Sequence, residues 1–102
     1  MQQLIPQELL DKLPNLYDTE NDKDPICHIK LFTPNSSFTW YITEISKDDN
    51  NTCFGLVSTF ELELGYFTLI EISSIREPLG LKIELDSSFA PMPLSEVRKL
   101  HS

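Results

Sequence analysis

The run Phe60-Glu61-Leu62-Glu63-Leu64-Gly65-Tyr66-Phe67-Thr68-Leu69-Ile70-Glu71 changes its period halfway along. Phe60, Leu62, Leu64 and Tyr66 put an apolar side chain at every second position, the pattern of a strand with one buried face. Thr68 and Glu71 then stand three apart, a capping box that starts a helix over Leu69 to Arg76, and Pro78-Leu79-Gly80 ends it in a turn. Upstream, Ile26 to Phe32 and Phe38 to Ile45 read as strands joined by a turn at Thr33-Pro34-Asn35-Ser36-Ser37. Thr52 to Val57, containing Gly55, is a third strand after the polar turn Ser46 to Asn51, and the alternating segment from about Glu61 to Phe67 is the fourth. Downstream, Leu81 to Leu85 alternates again as a fifth, edge strand. Pro91 and Pro93 impose extended backbone, and Leu94 to Leu100 forms a last helix with Leu94, Val97 and Leu100 on one face. At the start, Gln3 to Leu13 spaces Leu4, Ile5, Leu9, Leu10 and Leu13 helically, with Pro6 in the first turn and Pro14 as the stop. Consecutive hairpins without crossover helices predict an α+β fold. Its antiparallel sheet has four to five strands, with short helices at the N-terminus, after strand four and at the C-terminus, covering one side of the sheet.

A chain of 102 residues is expected to form a single domain, residues 1–102, burying roughly 65% of its unfolded surface. Forty per cent hydrophobic residues is a globular composition. Sixteen acidic against eight basic residues give a net charge of -8, which repels phosphate backbones and anionic lipid head groups and suits a basic protein partner. Direct nucleic-acid or membrane binding is therefore not expected. No segment approaches the roughly 20 apolar residues of a membrane span, and Met1 to Leu10 lacks the positive region of a secretory signal. A cytoplasmic protein is expected, with Cys27 and Cys53 as reduced thiols.

Few residues assemble into recognisable chemistry. Cys27 and His28 are neighbours on a strand, so their side chains point to opposite faces; Cys27 is expected in the core with Ile29 and Leu31, and His28 on the other face with Lys30. Two isolated cysteines make no zinc motif. Asp18, Glu20, Asp22 and Asp24 alternate like the start of a calcium loop, but Lys23 stands where that loop needs glycine and Ile29 where it needs glutamate. These acids read as a solvated loop, and no metal or cofactor is expected. Trp40 and Tyr41 are adjacent on a strand, which predicts one ring inward and the other toward solvent or a partner.

The motifs Leu13-Pro14 with Leu16-Tyr17, Lys30-Leu31-Phe32-Thr33-Pro34, Phe38-Thr39-Trp40-Tyr41 through Thr43-Glu44, Phe54-Gly55-Leu56-Val57, Glu63-Leu64-Gly65-Tyr66-Phe67 and Pro78-Leu79-Gly80-Leu81 follow one another in order. Together they resemble the domain-of-unknown-function family 2958, from about Leu9 to Val97. The resemblance implies a small protein of bacterial, plasmid or phage type, associated with mobile genetic elements, and implies no activity. Where it leads one to expect Glu-Arg-Asp, this chain has Glu84-Leu85-Asp86.

Two functional readings follow. In the first, a non-enzymatic module binds a basic protein, such as a host or element-encoded defence or nucleic-acid-processing enzyme, through Trp40, Tyr41, Glu44, Glu61, Glu63, Tyr66, Glu84 and Asp86. In the second, a small hydrolase-like or ligand-binding domain brings Glu44, Glu61 or Glu84 against His28 or Tyr66 in a pocket. A homodimer through a sheet edge is compatible with either.

Overall fold

A computed structural model describes residues 4–34, 36–75 and 82–101. It is α+β, with elements in the order α1 (Gln7–Leu10), β1 (Ile26–Cys27), β2 (Ile29–Phe32), β3 (Thr39–Ile45), β4 (Thr52–Ser58), β5 (Leu62–Thr68), α2 (Leu69–Ser73), β6 (Glu84–Leu85), β7 (Met92–Pro93) and α3 (Leu94–Leu100). The main sheet is antiparallel, in the order β5-β4-β3-β2-β6, and β1 pairs separately with β7. The expected hairpins are all present. The Pro78-Leu79-Gly80 turn and Leu81 lie outside the described residues, whereas the helix expected to run to Arg76 ends at Ser73, with Ser74 as its C-cap. Among the described residues no helix is long and apolar enough to cross a membrane.

The helices cover both faces of the sheet, not one. On the first face, Leu10 of α1 and Ile72 of α2 pack with Ile5, Leu13, Ile29, Leu31, Trp40, Ile42, Ile45, Cys53 and Ile83. On the second, Leu94 and Val97 of α3 pack with Cys27, Tyr41 and Leu56. Central strand β3 is consequently buried along its whole length. This corrects the expectation for Trp40 and Tyr41: they do point to opposite faces, but each face carries a core, so both rings are buried. Leu100 is exposed, leaving Leu94 and Val97 as the buried positions of α3.

Cys27 also departs from expectation. The strand is interrupted at His28, whose amide donates to the Ile42 carbonyl at 2.9 Å, and beyond it Ile29 pairs with Ile42 in β3. The interruption places Cys27 in the second core while Ile29 and Leu31 face the first. The N-terminal helix is shorter than its apolar spacing predicts. Past Leu10 the chain tightens into i→i+3 bonds, Lys12 to Leu9 and Leu13 to Leu10, because the residue before Pro14 disfavours helical backbone.

The start of α2 follows the capping expectation with one exchange. Thr68 Oγ1 accepts from the Glu71 amide at 3.1 Å, while the Glu71 carboxylate takes the Thr68 hydroxyl at 2.8 Å instead of its amide. Asn51 satisfies the next two donors, accepting from the Leu69 amide with its carbonyl and from the Ile70 amide with its side chain.

Candidate functional site

The candidate site is built on an irregularity in β3. The β3–β4 register runs regularly to Ile42 opposite Gly55, then shifts so that Glu44 faces Phe54 and Ile45 faces Cys53. Thr43 is the extra residue of this bulge, and its hydroxyl donates to the Phe54 carbonyl at 2.9 Å. Simple alternation from Trp40 would put Glu44 on the first face. The bulge moves it to the second face and returns Ile45 to the first core. Gly55 makes the close approach possible: a Cβ there would lie 1.7 Å from the Tyr41 carbonyl oxygen.

Glu44 is buried and holds the loop over residues 15–24 against the sheet. One carboxylate oxygen accepts from the Tyr17 amide and the other from the Thr19 amide, both at 2.9 Å, and the Thr19 hydroxyl also donates to it. Tyr17 has φ of 72°, a left-handed backbone that a bulky residue rarely adopts. A charged acceptor on its amide offsets that strain. Elsewhere the loop is tied down by Ile45, whose amide donates to the Pro14 carbonyl, and by Asn15, whose side-chain oxygen accepts from the Lys47 amide. At its far end Asp24 accepts from both the amide and the hydroxyl of Ser95, at 2.8 and 2.6 Å. Pro93 precedes α3 without a side-chain cap, so Asp24 caps that helix from across the chain. These Ser95 bonds hold the Asp24 carboxyl below its ordinary range.

Between this loop, strands β4 and β5 and the start of α3 lies a groove of about 400 Å³. Phe54 and Tyr66, paired across β4 and β5, form one wall, with ring centroids 4.9 Å apart and planes tilted by 58°. Leu64, Pro25 and Leu94 add apolar surface, and Thr43 and Glu44 form the floor. Tyr17, Glu20, Asp22 and Lys23 come from the loop. Tyr17, Tyr66 and Leu64 are 59%, 56% and 42% exposed, so the groove opens through a rim of solvent-facing apolar side chains. Hydrogen bonding with the Tyr17 side chain raises the pKa of the Tyr66 phenol. Partial desolvation and the charges of Glu44 and Glu20 push in the same direction.

Of the partner-binding and pocket candidates read from the sequence, Glu44 and Tyr66 meet in this groove and the others do not, while Glu20 and Asp22 of the acidic loop also line it. Trp40 belongs to the first core; Tyr41 lies in the second, between Phe89 and His101, with its hydroxyl 2.7 Å from His101 Nε2. Burial raises the Tyr41 phenol pKa. Glu61 is exposed in the β4–β5 turn. Glu63 faces away from the groove, opposite Val57, whereas Glu84 pairs with Phe32 at the other edge of the sheet. Asp86 forms an ion pair with Lys30 at 3.5 Å, and bonds from Ser88 hold its carboxyl below the usual value. His28 is half-buried, which lowers its pKa, and it does not line the groove. Both thiols are pushed up to about 12 by burial, which keeps them protonated and unreactive.

The acidic loop is used in turns. Asp18 accepts from the Asn15 amide, Asp22 from the Asp24 amide, and Asp24 from Ser95. Among the described residues no three His, Cys, Asp or Glu side chains stand together as a metal site would require. The groove residues that sequence reasoning passed over are chiefly Tyr17, Phe54, Leu64 and Leu94. Tyr17 carried a signal: together with Leu16 it interrupts an otherwise polar loop.

No functionally curated protein and no solved structure matches the chain. One family model does, over residues 4–100, with the motifs, strand order and caps described above all inside the matched span. The chain therefore belongs to the family described as protein of unknown function (DUF2958).

Proposed function

We propose that the protein is a non-enzymatic binding module that offers the groove between β5 and the 15–25 loop to a basic surface of a partner protein. The partner class is a host or element-encoded defence or nucleic-acid-processing enzyme, met in the cytoplasm by a protein of phage or plasmid type. The observation that carries this reading is the treatment of Tyr17. Its backbone is held in a strained conformation by a buried carboxylate while its ring stays 59% exposed beside Tyr66. Backbone strain that serves to present an exposed aromatic is typical of contact sites, and tyrosine is enriched in binding hot spots. Glu20 and Asp22 on the rim and a net charge of -8 favour a basic partner and speed its approach.

The hydrolase-like reading has one point in its favour, since Glu44 and Tyr66 do share the groove. Against it, both carboxylate oxygens of Glu44 are engaged by Tyr17 and Thr19 donors, which assigns the group to holding the loop. The test is capture from a bacterial lysate at low and moderate salt, with wild-type bait beside a Glu20→Lys, Asp22→Lys double variant. A basic protein retained by the wild type and lost from the variant is expected, with the larger difference at the lower salt, where the charges are less screened. Equal retention by both baits would overturn the reading.

A further inference from the structure

We propose that the groove is a cage for one arginine side chain, projected into it by an extended segment of the partner. This rests on the binding reading above and narrows it to a single side-chain chemistry. The walls supply ring surface: Phe54 and Tyr66 tilt against each other with centroids 4.9 Å apart, and Tyr17 joins them from the loop. A guanidinium stacks on such faces through the ring quadrupole and sheds water more readily than an ammonium, which favours arginine over lysine. A hollow of about 400 Å³ admits the aliphatic stem as well as the head group.

The charges fit the same occupant. Asp22 is partly engaged by the Asp24 amide and Glu44 by the loop, but among the described residues no hydrogen-bond donor engages the Glu20 carboxylate. Glu20 is thus the anion available to pair with a guanidinium. Tyr66 lines the same groove as these carboxylates, which places its ring beside the anion. Lys23 is the cation lining the groove and competes for the same carboxylates.

The test is titration of the full-length ¹⁵N-labelled protein with acetyl-Leu-Arg-Leu-amide and with its lysine and citrulline analogues, citrulline keeping the shape without the charge. The arginine peptide should shift the amides of Tyr17, Phe54, Leu64 and Tyr66, with the citrulline peptide at least about tenfold weaker. Tyr66→Ala should weaken binding roughly 5- to 30-fold, while Tyr66→Phe keeps the ring and the affinity. Glu20→Gln should weaken it and Lys23→Ala strengthen it, with the amide spectrum of each variant confirming the fold. Equal binding of the arginine and citrulline peptides, or shifts scattered over the acidic surface, would overturn the cage. No arginine-peptide binding alongside lysate capture that still depends on Glu20 and Asp22 overturns the cage and leaves the binding module standing. Arginine-peptide binding in a protein that captures nothing supports the cage and removes the module.

Discussion

Replacing Glu44 by glutamine isolates what holds the Tyr17 loop. The carboxylate has two acceptor oxygens, one for the Tyr17 amide and one for the Thr19 amide. Glutamine is almost isosteric but has one oxygen and one NH₂, so whichever way the amide turns, one backbone N–H faces another donor. With the NH₂ toward Thr19 the hydroxyl rotates to accept from it, and with the oxygen there it goes on donating; neither helps the stranded amide. A hydrogen bond to a charged group contributes about 1.5–3 kcal/mol, and an unsatisfied donor costs about 1–3 kcal/mol. Loop opening should therefore become easier by about 2–4 kcal/mol, a loss of roughly 30- to 1000-fold in protection from hydrogen exchange at one of the two amides. The Ile45 amide, bonded to the Pro14 carbonyl, is the internal reference and should change much less. The assay is native-state amide exchange by NMR on Glu44→Gln and wild type. Unchanged protection at both Tyr17 and Thr19 would refute the reasoning, because it would mean the loop is held by other contacts.

Other outcomes are equally specific. Gly55→Ala should cost more than about 3 kcal/mol or prevent folding, since its Cβ meets backbone at 1.7 Å, whereas Gly65→Ala, with nothing within 4 Å, should stay within about 0.5 kcal/mol; urea denaturation compares the two. Cys27 and Cys53 should resist iodoacetamide in the native protein at pH 8 and react on unfolding, as their pKa values of about 12 require. Because the unfolded thiols ionise near their ordinary value of 9.0 and the buried ones do not, stability should fall as pH rises from about 9 toward 12, measurable by thermal denaturation. Asp49, held down to about 2 by Thr52 and Asn51, has the opposite sign: its contribution is full above pH 3.8 and disappears as the pH falls toward 2, to be read from amide exchange in the Ser46–Asn51 turn. Asp24→Ala should fray the start of α3, seen as faster exchange of the Ser95 amide.

The strands and helices were legible because they follow local rules. The alternation through Leu62, Leu64 and Tyr66 and the Thr68–Glu71 pair each rest on contacts within a few residues, and β5 and α2 lie where those rules put them. What failed was counting along the chain. The interruption at His28 and the bulge at Thr43 each reverse which face the neighbouring residues occupy, and neither has a signature in residue type. Gly55 was the available hint, since a glycine inside a strand marks a close backbone approach. The site was legible only in part for a related reason. Glu44 and Tyr66 stood out as a strand carboxylate and an aromatic, but Tyr17 comes from a loop 27 residues before Glu44, and the hydrogen bond between them is made across the fold, not along the chain. Burial on both faces was missed because alternation in a single strand shows which side chains point the same way, and says nothing of whether the other side is covered.

At the bulge formed by Thr43 a change in length acts differently from a change in composition. Serine at position 43 would keep the hydroxyl that donates to the Phe54 carbonyl, and a valine would lose one bond. Deleting the residue would do something different in kind. It would close the ladder between Ile42 and Glu44, leave Glu44 opposite Phe54 and Ile45 opposite Cys53 on the faces they now hold, and remove the local bend that the extra residue puts into β3. A single codon lost at this position would thus straighten a strand without exchanging its two faces, and the cost would fall on the aim of the Glu44 carboxylate and so on the Tyr17 loop that it holds.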